Sequence, residues 1–186
     1  PSRYVGSSGS AGAPSGPTKR SRTVAAAAPR LRTVTEPRVA PARTALMAAI
    51  AERIARNSGA GLFLDYGHLR PGVGDTLQAL RKHNHEDVLA NPGEADLTSH
   101  VDFAALAAVA RAYGLDVHLS TQGNFLLGMG ILERAGRLGA DAGQAGRDKI
   151  TGDVERLAGP QAMGDLFKVL AVLPRGVTIR PFATAD

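Results

Sequence analysis

The sequence predicts an α/β chain, on three observations. Gly61 to Leu64 is a short run without charge that Gly67 closes, which reads as a fully buried strand entering a tight turn. In LDVHLS, Leu115, Val117 and Leu119 alternate with Asp116, His118 and Ser120, the period of a strand. Leu166 to Leu173 is a last apolar run, ended by Pro174, and stretches with helical spacing separate the three.

From the beginning, Pro1 to about Thr35 is Ser, Gly, Ala, Pro and Arg with almost no large apolar side chain. Such a composition cannot bury enough surface to offset the entropy of ordering, so residues 1–35 are expected to be a disordered basic segment. Its Arg and Ser without acid resemble a transit peptide. A cleaved, truncated or frame-disturbed start reads equally well, because the first residue is Pro.

The ordered domain is expected over 36–186. Around Pro41 a helix begins with Leu46, Ile50 and Ile54 on one face and Met47 alongside, and Asn57, Ser58 and Gly59 stop it. Helix then buried strand is the second part of a parallel-sheet unit. A long segment follows, with turns at Pro71-Gly72 and Pro92-Gly93 and a short helical piece near Thr76 to Lys82. Ser99 opens a capping box with Asp102 for a helix whose apolar face is Phe103, Leu106, Ala110 and Tyr113, stopped by Gly114. After LDVHLS, TQGNFLLGMGILERAGRLG reads as a helix broken by glycines, and Asp148 to Gly159 as a further one.

With 186 residues and 19.3 kDa there is room for one domain with a core. Aromatics are 4% of residues, so that core is built mostly from Leu, Ile, Val and Ala. The absence of cysteine excludes disulfides, thiolate metal sites and cysteine nucleophiles. No uninterrupted apolar segment approaches the roughly 20 residues of a membrane-spanning helix. The first 35 residues hold six bases (Arg3, Lys19, Arg20, Arg22, Arg30 and Arg32) and no acid, while the chain as a whole carries +5. The remainder is therefore at −1, and the charge argues for a basic tail, not for a nucleic-acid-binding body.

Ligands of open α/β sheets sit beyond the carboxyl ends of the strands. That rule selects Asp65, Tyr66 and His68 after the first strand and Thr121 and Gln122 after the second. Thr121 is also a natural helix cap, whereas Gln122 has no obvious local partner. The glycine sets Gly72/Gly74, Gly128/Gly130 and Gly6/Gly9/Gly12 lack the strand-turn-helix setting of a cofactor loop. His83 and His85, with Glu86 and Asp87, have metal-ligand types, but a polar loop more often leaves such a pair solvated, and no metal site is assigned.

From about Glu36 onward the strings LFLDYGH, GDTLQALRKH, PGEADLTSHVDF, TQGNFL, MGILERA and MGDLFKVL occur in an order and at distances that resemble the carboxyl-terminal half of the MidA-like proteins. The wording is closest to bacterial members. The resemblance implies a class I (Rossmann-like) methyltransferase sheet, of which this chain holds the carboxyl-terminal part. Gly61 to Tyr66 then correspond to its fifth strand, Leu115 to Ser120 to the sixth and Leu166 to Leu173 to the seventh. It also implies S-adenosylmethionine as cofactor and a protein partner, a respiratory complex I subunit whose arginine the mitochondrial members methylate during assembly. In the family the cofactor is held by a glycine-rich turn after the first strand, an acid after the second and an Asn-Glu motif after the fourth. None of these is found in this chain, so catalytic and cofactor-binding residues are not assigned.

Methyl transfer to a guanidinium needs groups that hold the planar cation in line. The substrate-binding candidates are therefore Asp65, Tyr66, His68, Asp96, Thr98 and Gln122. Asp102 is of the same kind, but its cap role already explains it. The expected function is S-adenosylmethionine-dependent protein-arginine methylation in the bacterial cytoplasm, or alternatively in the mitochondrial matrix. The alternative function is a catalytically incomplete binding or assembly module that docks on a partner or on another chain completing the sheet. Homo-oligomerisation stays open, and nucleic-acid binding through the tail is the weakest reading.

Overall fold

Helix α1, Pro41–Asn57, starts with Pro in its first turn and ends where Ser58 and Gly59 take positive φ. A computed structural model of the chain describes residues 40–71 and 76–182. The expected disorder of 1–35, the Gly72/Gly74 turn and the Gly6/Gly9/Gly12 series lie outside the described residues. The buried stripe of α1 is Met47, Ala51 and Ile54, with Ile50 packed beside it. Leu46, expected on that face, is 63% exposed. Small Ala51 is fully buried where α1 lies on helix α2, Phe103–Ala112.

The main sheet has four strands in the order β5-β1-β7-β6: β1 Gly61–His68, β5 Val101–Asp102, β6 Asp116–Thr121 and β7 Phe167–Leu173. Only β1 and β5 run parallel, over two residue pairs, while β7 is antiparallel to both β1 and β6. Central β7 has no exposed side, and Val169 to Leu173 are fully buried, as a continuous apolar run in a covered sheet should be. Phe63 and Leu119 flank Leu170 in register, and α1 and α2 close that face through Met47, Ala51, Phe103, Ala107 and Ala110.

Strand β1 departs from the fully buried strand expected. Leu62 and Leu64 are 49% and 44% exposed, because alternate residues point away from α1 and α2 and no described element covers them. Along Gly61–Tyr66 the edge opposite β7 has no strand partner among the described residues, since β5 pairs with β1 only at Gly67 and His68.

The segment between β1 and β5 folds as a second, antiparallel sheet in the order β3-β2-β4: β2 Gln78–Arg81, β3 Asn84–Glu86 and β4 Asp96–Thr98. The helical piece expected near Thr76 to Lys82 is not formed. Lys82 and His83 both take positive φ between paired Arg81 and Asn84, the geometry of a two-residue hairpin turn. Pairing on both sides of β2, with Ala79 buried beneath, outweighs a local helical preference worth only tenths of a kcal/mol per residue, on the order of 0.5.

Helix α2, Phe103–Ala112, is capped by Asp102, whose Oδ1 accepts from the Ala105 amide at 2.9 Å. The expected capping box is thus displaced: Asp102 itself is the cap, and Ser99 Oγ instead accepts from Arg43 at 2.6 Å. The buried face is Phe103, Ala107 and Ala110; Leu106 is half-buried and Tyr113 exposed. Between β6 and β7 lie α3 Gln122–Gly128, α4 Ile131–Gly139, α5 Gln144–Ala158 and α6 Met163–Leu166. Left-handed Gly130 makes the expected glycine break between α3 and α4. On α5, hydrogen bonding and charge from Lys149, with Arg156 nearby, hold the exposed Asp153 carboxyl below the usual carboxylate range. That small contribution is present above the ordinary carboxylate pKa and lost as acid protonates the group.

Candidate functional site

Two parallel strands end side by side at Tyr66-Gly67-His68 and Val101-Asp102, with Gly67 opposite Val101 and His68 opposite Asp102. Gly67 permits this approach: a Cβ there would lie 2.2 Å from the Val101 carbonyl oxygen. His68 Nδ1 is 2.6 Å from the Arg70 carbonyl, which can only accept, so Nδ1 carries the proton. In the neutral ring a lone pair remains on Nε2, which is buried and has no hydrogen-bond partner. Asp102 Oδ1 lies 3.9 Å from His68 Nδ1.

The Tyr66 ring meets His100 edge to face at 5.6 Å and Phe167 in the same way at 5.8 Å. His100 Nε2 stands 3.4 Å from Gln78 Nε2, and its carbonyl accepts from Arg43 at 2.9 Å. Arg43 therefore ties α1 to the turn between β4 and β5 that carries Ser99 and His100. The result is a crest at the carboxyl ends of β1 and β5, with two imidazoles, a phenol and a carboxylate within one cluster.

Of the residues selected from sequence, Tyr66 and His68 are at its centre. Thr98 ends β4 two residues before His100, half-buried and opposite Gln78. Asp96, opposite Leu80, is exposed, and its side chain forms no hydrogen bond or ion pair among the described residues. Asp65 is exposed within β1, opposite Lys168 of β7, and accepts from the Tyr66 amide at 2.8 Å, so the turn expected after Leu64 is not formed there. Gln122 is 7% exposed and donates to the Leu157 carbonyl at 2.8 Å, so its amide is committed to fixing α3 on α5. Thr121 caps α3 through the Asn124 amide. His83 and His85 are exposed on the β2–β3 hairpin, and among the described residues no group of His, Asp or Glu could hold a metal ion. Gln78 and His100 were not singled out from sequence; the signal available was their place inside the GDTLQALRKH and PGEADLTSHVDF strings.

The cap and the charge of Asp102 can be separated. Asp102→Ala is expected to cost about 1 kcal/mol through the lost cap, whereas Asp102→Asn, which caps as well, should cost only a few tenths, about 0.3. Urea unfolding of the two variants checks this; equal losses would place the effect in the charge and not in the cap.

The described residues do not by themselves fit S-adenosylmethionine. Two strands run straight into helices, β5 into α2 and β6 into α3, and both helix starts are closed by side-chain caps. The glycines near the second junction serve packing: a Cβ on Gly123 or Gly164 would lie 2.6 or 2.2 Å from the Ala158 carbonyl oxygen.

The fold and the sequence together define a class. Residues 10–121 match the family model described as "Putative S-adenosyl-L-methionine-dependent methyltransferase", and the chain belongs to that family of S-adenosylmethionine-dependent methyltransferases. The match begins well upstream of Leu62, where the first motif string starts. Among curated proteins, the chain is similar to "Protein arginine methyltransferase NDUFAF7, mitochondrial" of Mus musculus, 36% identical over 137 residues, covering 73% of this chain and 31% of the relative. The Drosophila melanogaster homolog is 39% identical over 128 residues, 67% of this chain and 29% of that protein. The chain thus spans about a third of the length of the curated relatives it matches. Among solved structures, an uncharacterized protein from Burkholderia thailandensis superposes with a TM-score of 0.65 at 28% identity, over 76% of this chain and 39% of that one. A superfamily member from the same organism, described as a "likely methyl transferase" and bound to S-adenosyl-homocysteine, gives 0.60 at 28% identity, over 74% and 37%.

Proposed function

We propose that this chain forms the acceptor side of a protein-arginine methyltransferase serving respiratory complex I assembly, and that the Tyr66, His68, His100 and Asp102 crest receives the arginine side chain. The observation that carries the reading is the buried, unpartnered Nε2 of His68, on a ring whose Nδ1 lies 3.9 Å from the Asp102 carboxylate, at the carboxyl ends of two parallel strands. A guanidinium has five donors and no acceptor, so its site must offer lone pairs and flat surfaces. His68 and Asp102 offer the first, and Tyr66 and His100 the second. Asp65, Asp96 and Thr98 lie on the strands that lead to the crest and would steer the cation; Gln122 would act by holding α3. The curated relatives are named as mitochondrial arginine methyltransferases, while the solved relatives are bacterial. We assign this chain to a bacterial cytoplasm, with the mitochondrial matrix as the alternative. No described helix is long and apolar enough to cross a membrane.

Titration of the chain with a Gly-Arg-Gly peptide, read by NMR, tests the site. The ring signals of Tyr66, His68 and His100 should shift, and His68→Ala should weaken binding about tenfold, as expected for one hydrogen bond to a charged group. Shifts confined to other residues, or unchanged affinity in the variant, would sink the assignment. A second reading, a module that binds a partner without turnover, is favoured by the lack of a cofactor cradle among the described residues. Calorimetry of the chain with S-adenosyl-homocysteine tests only whether it binds the cofactor product unaided; micromolar binding would sink the second reading.

A further inference from the structure

We infer that Arg43 and Gln78 are positioning residues of the crest: Arg43 fixes the turn that carries His100, and Gln78 fixes its ring, so that His100 presents a flat surface and His68 alone of the two imidazoles keeps an open lone pair. This rests on the reading of the crest as the acceptor site and divides the work within it.

Arg43 holds the backbone. Its Nη1 donates to the His100 carbonyl at 2.9 Å, and its Nη2 donates to Ser99 Oγ at 2.6 Å and faces the Ser99 carbonyl at 3.4 Å. One planar fork thus spans two carbonyls and a hydroxyl on adjacent residues, which an ammonium on a flexible stem cannot match. The needs of α1 do not explain this arginine. Arg43 lies in the first turn of a helix that has no side-chain cap and no acid there, and a cation is unfavourable at that end of the helix dipole. Its guanidinium serves a turn 56 and 57 residues further along the chain instead.

Gln78 holds the ring. Its Nε2 lies 3.4 Å from His100 Nε2. An amide nitrogen only donates, so this contact uses the lone pair on His100 Nε2 and leaves the proton of the neutral ring on Nδ1. His68 has the same tautomer, set by the Arg70 carbonyl, but its Nε2 has no partner. The two imidazoles are therefore unlike. Gln78 engages the lone pair of His100, and what His100 offers a guanidinium is its ring, held 5.6 Å from that of Tyr66 at 76°. Gln78 reaches it because β2 pairs with β4, which sets Gln78 opposite Thr98, two residues before His100. The small antiparallel sheet thus acts on the crest through this one amide.

Nitrogen-proton NMR of the imidazole rings in the full chain provides the test, made first without peptide and in mildly alkaline buffer, where imidazoles are neutral. The parent's His100 should show a protonated Nδ1 and a bare Nε2. In Gln78→Glu the carboxylate can only accept, so the proton should move to Nε2 while the circular dichroism stays that of the parent. Arg43→Lys should leave the tautomer and shift the ring signals of Tyr66 and His100. Titration with the Gly-Arg-Gly peptide follows: Gln78→Ala and Arg43→Lys should each bind about three- to tenfold more weakly, with urea midpoints near the parent's. Three results overturn the inference: an Nδ1 proton that stays in Gln78→Glu, Tyr66 and His100 signals that stay in Arg43→Lys, and parent-like peptide affinity in both variants. A parent that fails to bind the peptide strikes the acceptor reading alone, because the ring signatures are read in its absence.

Discussion

Replacing Gly67 by alanine is expected to separate β5 from β1 and disassemble the crest. The added Cβ would lie 2.2 Å from the Val101 carbonyl oxygen and 3.0 Å from the Val101 nitrogen. Both are backbone atoms that cannot swing aside like the end of a side chain. Relief requires the strands to part, and the parted segment carries His100, Asp102 and the cap of α2. Overpacking of this kind costs about 1–3 kcal/mol. The functional loss should be larger than the stability loss, because Tyr66 and His68 depend on that register for their neighbours. The measurements are urea unfolding and titration with the arginine peptide. A useful comparison is Gly152→Ala, inside α5 with open space around it, which should stabilise the chain by about 0.5–1 kcal/mol. If Gly67→Ala bound the peptide with the parent's affinity, the crest could not be the acceptor site.

Phe103→Ala should be the most destabilising single truncation, costing about 3–5 kcal/mol. Phe103 is 1% exposed and is the largest fully buried side chain, set among Met47, Ala51, Ala107 and Leu170 at the meeting of α1, α2 and the sheet. Two of these companions, Ala51 and Ala107, are alanines with no side chain long enough to reach into the void. Against a net stability of about 5–15 kcal/mol for an ordinary domain, that loss brings the chain near unfolding. Thermal melting followed by circular dichroism reads it, and Phe103→Leu, which keeps most of the volume, should cost about 1 kcal/mol. A Phe103→Ala protein that melts with the parent would show that α1 and α2 do not form the structural core.

What could be read in advance follows from the range of the interactions. Strands β1, β6 and β7 were legible because each is an apolar or alternating run bounded by its own turn residues. The break at Gly130 was legible because left-handed backbone selects glycine locally. The β2–β4 sheet was not, since Thr76 to Lys82 has helical composition and becomes a strand only through partners further along the chain. The same holds for Gln122: its type and place after a strand suggested a ligand-facing amide, and the carbonyl that claims it belongs to Leu157.

The sequence by itself determined the α/β class, the three long strands, the motif strings shared with the methyltransferase family, and Tyr66 and His68 as crest residues. All of these rest on periodicity, turn chemistry or identity within a few residues. Only the tertiary structure decided that β7 runs antiparallel between β1 and β6, that Asp102 caps α2 beside His68, and that His100 and Gln78 join the site. It also decided that Leu46, Leu62 and Leu64 are exposed beside an edge of β1 that no strand pairs among the described residues. Those facts depend on which distant segments meet. In a chain whose burial and pairing energies nearly cancel the entropy of ordering, local preference of a few tenths of a kcal/mol per residue, about 0.3, yields to whichever long-range contact is made.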